Sequence, residues 1–387
     1  MQRPVRLLII ALLIVVGVAA AVGAVLRRDE EQVSALLVVS ANQEAAGFAR
    51  AEGPRPLSFP ADHGPHPNYQ TEWWYYTGNL TTAEGRRFGY QLTFFRRALV
   101  PERERAERPS DWAADQVYLA HFALSDVGGS SYQAYERLSR GAAGLAGARA
   151  APFQVWLEDW WVEEVEAGIY RLTAEQDGIS LDLRLVDRKG PVLQGDRGYS
   201  QKGPEPGNAS YYYSLTRLES SGTIQVSGAE YAVEGLSWMD HEFSTSALSA
   251  GQVGWDWFSI QLDDGCELML FELRRADGSI DPYSSGTFVA PDGSTTHLAE
   301  GDFTLTVERT WHSPHSGAEY PAGWAINMPA LGLALRVEPY LADQELNVSY
   351  TYWEGAVGVS GERDGQPVAG TGYVELTGYA ESMQGQF

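Results

Sequence analysis

From Phe59 onward the chain alternates short apolar and polar runs, each closed by Gly, Pro, Asn or Asp. Gln91-Leu92-Thr93-Phe94-Phe95, Ser180 to Leu185 and Phe303 to Val307 carry the period of two that half-buried strands require. Ala83-Glu84-Gly85, Asp263-Asp264-Gly265, Ala276-Asp277-Gly278, Pro291-Asp292-Gly293 and Arg363-Asp364-Gly365 supply hairpin turns between them. No helical period competes with this pattern. Many short strands joined by regular turns predict an all-β protein built as a sandwich or barrel.

The pattern also repeats. Trp73-Trp74-Tyr75-Tyr76-Thr77-Gly78-Asn79-Leu80, a turn and a second strand ending in Arg96-Arg97 parallel Trp255 to Leu262, a turn and a strand ending in Arg274-Arg275. Val226-Ser227-Gly228 and Gly235 to Trp238 echo Val359-Ser360-Gly361 and Gly370 to Tyr373, and Phe153 to Trp161 echoes Phe303 to Trp311. Two related halves are therefore expected, 58–245 and 246–387. Each has the size of a lipocalin-type antiparallel barrel holding one small apolar ligand.

Ahead of the repeat the pattern is different. Two arginines precede Leu7 to Leu26, a run without a charge, and about 20 apolar residues suffice to cross a bilayer. Small residues at Ala19 to Ala24 would suit a signal peptidase, whereas Arg27-Arg28 closes the run like an anchor. Residues 1–28 are expected to be a signal peptide or a membrane anchor, and 29–57 a loosely structured linker. The rest would then lie on the periplasmic or extracellular side, touching membrane only through an uncleaved N-terminus.

Composition narrows the partners. The formal net charge of −23 repels phosphate backbones, so no nucleic-acid partner is expected. Cys266 is the sole cysteine, which rules out an intramolecular disulfide. Twelve Trp and twenty Tyr can fill a core and still leave rings to line a cavity for an apolar, isoprenoid or lipid-like ligand.

Three clusters carry candidate chemistry. In Trp238-Met239-Asp240-His241-Glu242, Asp240, His241 and Glu242 are the candidate catalytic groups, since a carboxylate can orient a His that acts near neutral pH. Strand alternation points Asp240 and Glu242 to one face and His241 to the other, unless a bulge intervenes. Glu72, Trp73, Trp74 and Tyr75 form the second cluster, with the Glu72 pKa expected to rise through desolvation. Trp238, Trp255, Asp256 and Trp257 complete the candidate substrate-binding set, while Tyr211 to Tyr213 and Arg217 read as core or rim packing. His63 and His66, like His312 and His315, have a ligand-like spacing but no third ligand, so no metal centre is expected and these histidines read as surface or capping groups. Nucleophile-elbow, phosphate-loop and zinc-protease motifs are absent, and no cofactor is expected.

Asp62 to Leu80 resembles the opening signature of the lipocalin-like carotenoid 1,2-hydratase (hydroxyneurosporene synthase) superfamily, whose exported branch is labelled predicted secreted hydrolases. Trp238 to Glu242, Gly254 to Phe258 and Tyr352-Trp353-Glu354-Gly355-Ala356-Val357 resemble its later blocks. The resemblance implies two lipocalin-like barrels and cofactor-independent addition of water to a polyene, with Asp240 and His241 as the matching positions. The chain departs from the hydratases at Phe243, where they carry Trp. It departs again at Met269 to Leu273, where they carry a Tyr-x-Asp proton donor and this chain offers Glu272. An exported hydratase- or hydrolase-like enzyme is the leading expectation. The alternatives are a non-catalytic carrier of lipids or isoprenoids and a structural module of the envelope.

Overall fold

The alternation becomes twenty-five strands, numbered β1 to β25 in chain order, in a computed structural model that describes residues 47–105, 110, 112–245 and 248–384. The expected signal or anchor segment, 1–28, and most of the linker lie outside the described residues. No α-helix occurs among those described, and none is long and apolar enough to cross a membrane.

Two antiparallel sheets account for nearly all the strands. In spatial order the first runs β4 (Ser131–Arg140), β3 (Gln116–Asp126), β2 (Arg87–Ala98), β1 (Thr71–Thr81), β13 (Ala229–Ser244) and β12 (Ala209–Val226). It continues through β9 (Ile179–Asp187), β8 (Ile169–Gln176), β7 (Trp160–Glu166), β6 (Phe153–Leu157) and β5 (Ala146–Ala150), curling into a nearly closed barrel. The second runs β17 (Thr295–Ala299), β16 (Ser285–Val289), β15 (Glu267–Arg275), β14 (Gln252–Leu262) and β25 (Gln366–Leu376). It continues through β24 (Thr351–Arg363), β22 (Leu333–Pro339), β21 (Trp324–Met328) and β18 (Thr304–Val307).

The two orders match strand for strand from β4 to β7 and from β17 to β18. Gly235 lies opposite Leu80 and Gly370 opposite Leu262, so Trp73 corresponds to Trp255, Tyr75 to Trp257 and Asp240 to Glu375. Two sequence echoes do not survive in space. Ser227-Gly228 makes the turn between β12 and β13, but its counterpart is Asp364-Gly365, because Ser360 and Gly361 lie inside β24. Phe153 to Trp161 folds as the β6–β7 hairpin, whereas the segment from Phe303 divides between β18, paired with β21, and β19 (Thr310–His312), paired with β20 (Glu319–Pro321).

Each sheet encloses its own apolar core. Trp74, Tyr76, Phe94, Phe122, Leu172 and Met239 fill the first, and Phe258, Leu270, Trp324, Ile326, Val337 and Trp353 fill the second. A third apolar layer, with Tyr75, Tyr212, Trp238, Trp257, Phe271 and Tyr373, lies where the outer faces of the two sheets meet. This explains the four consecutive aromatics in β1: Trp74 and Tyr76 enter the barrel, while Trp73 and Tyr75 point into the layer between the sheets. The barrels are filled by their own side chains, so the expectation of a ligand inside a barrel gives way to one of a site between sheets.

Polar contacts fix the sheets face to face. Buried Glu267 of β15 receives Lys189 Nζ at 2.7 Å and Arg217 Nε at 2.5 Å, both from the first sheet's half. Gln261 Nε2 donates to the carbonyls of Thr216 and Ser237, and Ser125 Oγ donates to Gln344 Oε1. Where β2 crosses β24, a Cβ at Gly89 would stand 2.4 Å from Ala356 Cβ, so the approach needs glycine. The described end of the linker is not loose either. Ala51 is buried with Ala209, Tyr211 and Phe243, and Tyr211 Oη donates to the Gly53 carbonyl at 2.8 Å.

Gly89→Ala is expected to lower stability by roughly 1–3 kcal/mol through overpacking. Adding Ala356→Gly should restore part of the loss, because the two Cβ atoms compete for one space; denaturant unfolding of both variants checks the coupling.

Candidate functional site

Between the sheets lies a cavity of about 140 Å³. Trp73, Tyr75, Tyr212, Trp255, Trp257 and Phe271 are among the residues that line it, and Asp240, Glu242 and Glu375 stand with them. Alternation within β1, β13, β14 and β25 sends every second side chain here, so the pseudo-repeat brings an acid from each sheet to one cavity.

Asp240 is held by three donors: Tyr212 Oη and Ser214 Oγ, each at 2.5 Å, and Trp238 Nε1 at 2.7 Å. Trp257 Nε1 in turn donates to Tyr212 Oη at 3.1 Å, which ties the second sheet to this carboxyl. Burial pushes the Asp240 pKa up to about 7 against these three hydrogen bonds, with the Glu242 charge adding to the rise. Glu375 receives Trp255 Nε1 at 2.9 Å. Burial raises it to about 7 as well, the Trp255 bond opposing and the charges of Asp240 and Glu242 reinforcing. Two carboxyls that repel each other and titrate near neutrality hold about one proton between them at pH 7. The cavity therefore presents an acid and a base together. Lys202 closes one side, with Nζ 3.4 Å from Glu242 Oε1 and 4.0 Å from the Phe271 ring centroid.

On the opposite face of β1 and β13 lies a separate network, centred on fully buried Glu72. Arg96 Nε donates to Glu72 Oε2 at 2.7 Å, while His241 Nε2 and His66 Nδ1 each lie 2.8 Å from Oε1. His66 Nε2 reaches Asp62 at 2.8 Å and its ring stacks on Phe243 at 3.5 Å. His63 Nδ1 meets Tyr213 Oη at 2.7 Å, and Trp74 Nε1 donates to the His63 carbonyl. The Asp62 to His66 loop is thereby locked onto the barrel. Burial opposes ionisation of Glu72, but the Arg96 charge and the bonds from His241 and His66 outweigh it and hold its pKa well below the usual range. The expected rise is thus reversed. Burial and the nearby His241 push His63 down to about 4.

His66, Glu72 and His241 also bring three ligand-type atoms within 4.8 Å of one another. A divalent ion there would have to replace both histidine–carboxylate hydrogen bonds and sit beside the Arg96 cation. The donor set therefore fits a hydrogen-bonded lock better than a metal. His63 and His66 are buried or nearly so, unlike the surface groups expected from the sequence.

Of the sequence-derived residues, Asp240, Glu242, Trp73, Tyr75, Trp255 and Trp257 line the cavity, and Trp238 supports it through Asp240. His241, Glu72 and Trp74 face the first barrel, because β13 carries no bulge at Asp240 to turn His241 round. Asp256 faces the second barrel, bonded to Arg274 Nε at 2.8 Å and Tyr379 Oη at 2.9 Å. Glu272 lies beside Asp256, away from the cavity, so it does not replace a proton donor there. Sequence reasoning missed Glu375, Lys202 and Tyr352. Extending the Gly235/Gly370 repeat by five residues would have found Glu375. Arg217, read as packing, binds Glu267 at the junction.

The sequence profile of the AttH-like family matches residues 50–379. A crystal structure of an AttH protein from Nitrosomonas europaea is similar at 37% identity, covering 86% of this chain and all of that one, with a TM-score of 0.75. Kievitone hydratase from Nectria haematococca shares the fold at 16% identity, covering 87% of this chain and 98% of that one, with a TM-score of 0.65. CghA, solved with Sch210972, shares it at 11% identity over 87% of this chain and 98% of that one, with a TM-score of 0.51. Among the curated proteins no sequence matches. The resemblance to the lipocalin-like carotenoid 1,2-hydratase superfamily read from Asp62 to Leu80 is borne out.

Removing one partner of the buried Glu72–Arg96 pair leaves an uncompensated charge, so Glu72→Gln is expected to cost about 3–5 kcal/mol in denaturant unfolding. Glu375 shows the opposite linkage. Its folded pKa is raised from 4.5 to about 7, so the folded state binds the extra proton and loses stability as pH rises through that interval. Glu375→Gln should therefore melt increasingly above the wild type as pH goes from 5 to 8; a difference independent of pH would contradict the shift.

Proposed function

The chain belongs to the AttH-like family, and on that premise we propose that it is a hydratase-like enzyme, acting without a cofactor on an apolar isoprenoid or lipid-like substrate held between the two sheets. The observation that carries the reading is the pair Asp240 and Glu375, two carboxyls from facing sheets brought to about pKa 7 in one aromatic cavity. The similarity of fold to kievitone hydratase supports the reaction class.

In the proposed hydration, protonated Asp240 gives its proton to one carbon of a C=C bond, leaving a carbocation at the other. Trp73, Trp255, Trp257 and Tyr75 present π faces that stabilise the positive charge. Water adds to the cation, and ionised Glu375 takes the proton that the water releases. The alkene gains H and OH, and a proton passing from Glu375 back to Asp240 resets the pair. The same acid and base could serve hydrolysis of an apolar ester. We also propose that 1–28 directs export, as cleaved signal or retained anchor, and that 58–245 and 246–387 are the two barrel domains. The acidic surface favours a small-molecule partner over nucleic acid.

Asp240→Asn is expected to lower turnover of a linear polyene by 10²-fold or more while leaving its binding intact. Loss of one member of the pair by titration gives a rate that falls on both sides of neutrality, so the pH profile should be bell-shaped around 7. Unchanged turnover in Asp240→Asn would overturn the assignment. A wild type that binds the polyene stoichiometrically and never converts it would make the protein a carrier.

A further inference from the structure

A polar cluster lies beside the cavity that the chemistry above leaves unused. Its centre is Glu354 of β24, directly across from Glu375 of β25 and on the same face. Glu354 is fully buried, and neither of its oxygens closes a hydrogen bond. The hydroxyls of Tyr75, Tyr132 and Tyr373 and the amide oxygen of Gln91 are likewise buried and unsatisfied. The hydroxyls of Tyr75 and Tyr352 approach the carboxyl closely enough to oppose its pKa rise without closing a hydrogen bond of full geometry, Tyr132 and Tyr373 lie within its electrostatic reach, and Gln91 approaches the Tyr352 hydroxyl in the same way. No cation among the described residues pairs with Glu354. Burial and then the Glu375 charge drive its pKa well above the usual range, outweighing the opposing approach of Tyr75 and Tyr352, so it stands as a neutral acid.

Tyr75, Tyr352 and Glu375 also line the cavity, so the cluster is continuous with it. Orphaned buried polar atoms are costly one by one, and a set this dense fits a shared occupant. The set contains donors, in the tyrosine hydroxyls, and acceptors, in Gln91 and Glu354. A hydroxyl oxygen answers both, because it donates one hydrogen bond and accepts two. An anion would be repelled by the Glu375 charge, and an apolar group would leave every atom unpaired.

We propose that Glu354, Tyr75 and Tyr373 form a hydroxyl-binding subsite beside the cavity, adjoining it through Tyr75, and that it holds the water that hydration consumes and then the oxygen of the product alcohol. The proposal rests on the reading of the cavity as a hydratase-like site. It places the nucleophile on the neighbour of the base, since Glu354 and Glu375 are cross-strand partners.

The test uses two probes, a linear sesquiterpene hydrocarbon and the alcohol of the same skeleton, titrated by tryptophan fluorescence against the full chain. The wild type is expected to bind the alcohol at least ten-fold more tightly. Glu354→Gln and Tyr373→Phe, checked for an unchanged melting profile, should each reduce that preference while keeping the affinity for the hydrocarbon. Equal affinity for the two probes in the wild type, or a preference untouched in both variants, overturns the subsite. If neither probe binds the wild type, the cavity reading beneath it falls as well. A high-resolution crystal structure separates the two sources of the hydroxyl. An ordered water on Glu354 and Tyr75 in the free protein, displaced by the alcohol oxygen in the complex, supports the proposal. A Tyr75 hydroxyl bonded directly to Glu354 in both crystals contradicts it.

Discussion

The chemistry of the site depends on two sheets packed face to face, which remove carboxyl groups from water between them. Nothing in an isolated strand makes Asp240 or Glu375 unusual. Their pKa values rise because the outer face of one sheet covers the outer face of the other, and because large rings fill the layer that would otherwise hold solvent. The same covering brings the Asp240 charge within reach of Glu375 and makes the Glu375 proton harder to lose. What keeps the sheets in place is therefore part of the chemistry: Glu267 with Lys189 and Arg217, Gln261 with two carbonyls, and the Gly89–Ala356 contact.

Buried acids appear in this protein in two opposite conditions. Glu72 is as buried as Glu354, yet it has a guanidinium and two imidazoles on its oxygens and stays ionised. Glu354 has no cation and is driven neutral. In the first sheet, side chains alternating between the faces of β1 and β13 thus separate a lock that holds the Asp62 to His66 loop from the cavity side that carries Asp240. His241 belongs to the lock. Its position next to Asp240 in the chain is a consequence of period two, in which sequence neighbours part company across a sheet.

The fold was largely legible in the residues. Period two and turn chemistry indicated strands, the Trp73/Trp255 repeat indicated two related halves, and the strand orders match. The echoes around Ser227 and Phe153 misled, because similar short strings satisfy different turns and partners in the two halves. The site was legible only in part. Alternation was enough to separate Asp240 from His241, and it placed Trp73 with Tyr75 and Trp255 with Trp257. It could not tell that the face shared by these residues meets another sheet rather than solvent or a barrel interior, since that is set by contacts far apart in sequence. For the same reason the charge state of Glu72 was misjudged. Its local aromatics argued for a raised pKa, and the cation that reverses it, Arg96, lies one strand over.

The most direct measurement is a ¹³C carboxyl NMR titration of Glu375 in the wild type and in Asp240→Asn. The account predicts a midpoint near 7 in the wild type and a lower one in the variant, where the repelling charge has gone. A wild-type midpoint near the ordinary 4.5 of a glutamate, unmoved by the substitution, would contradict it.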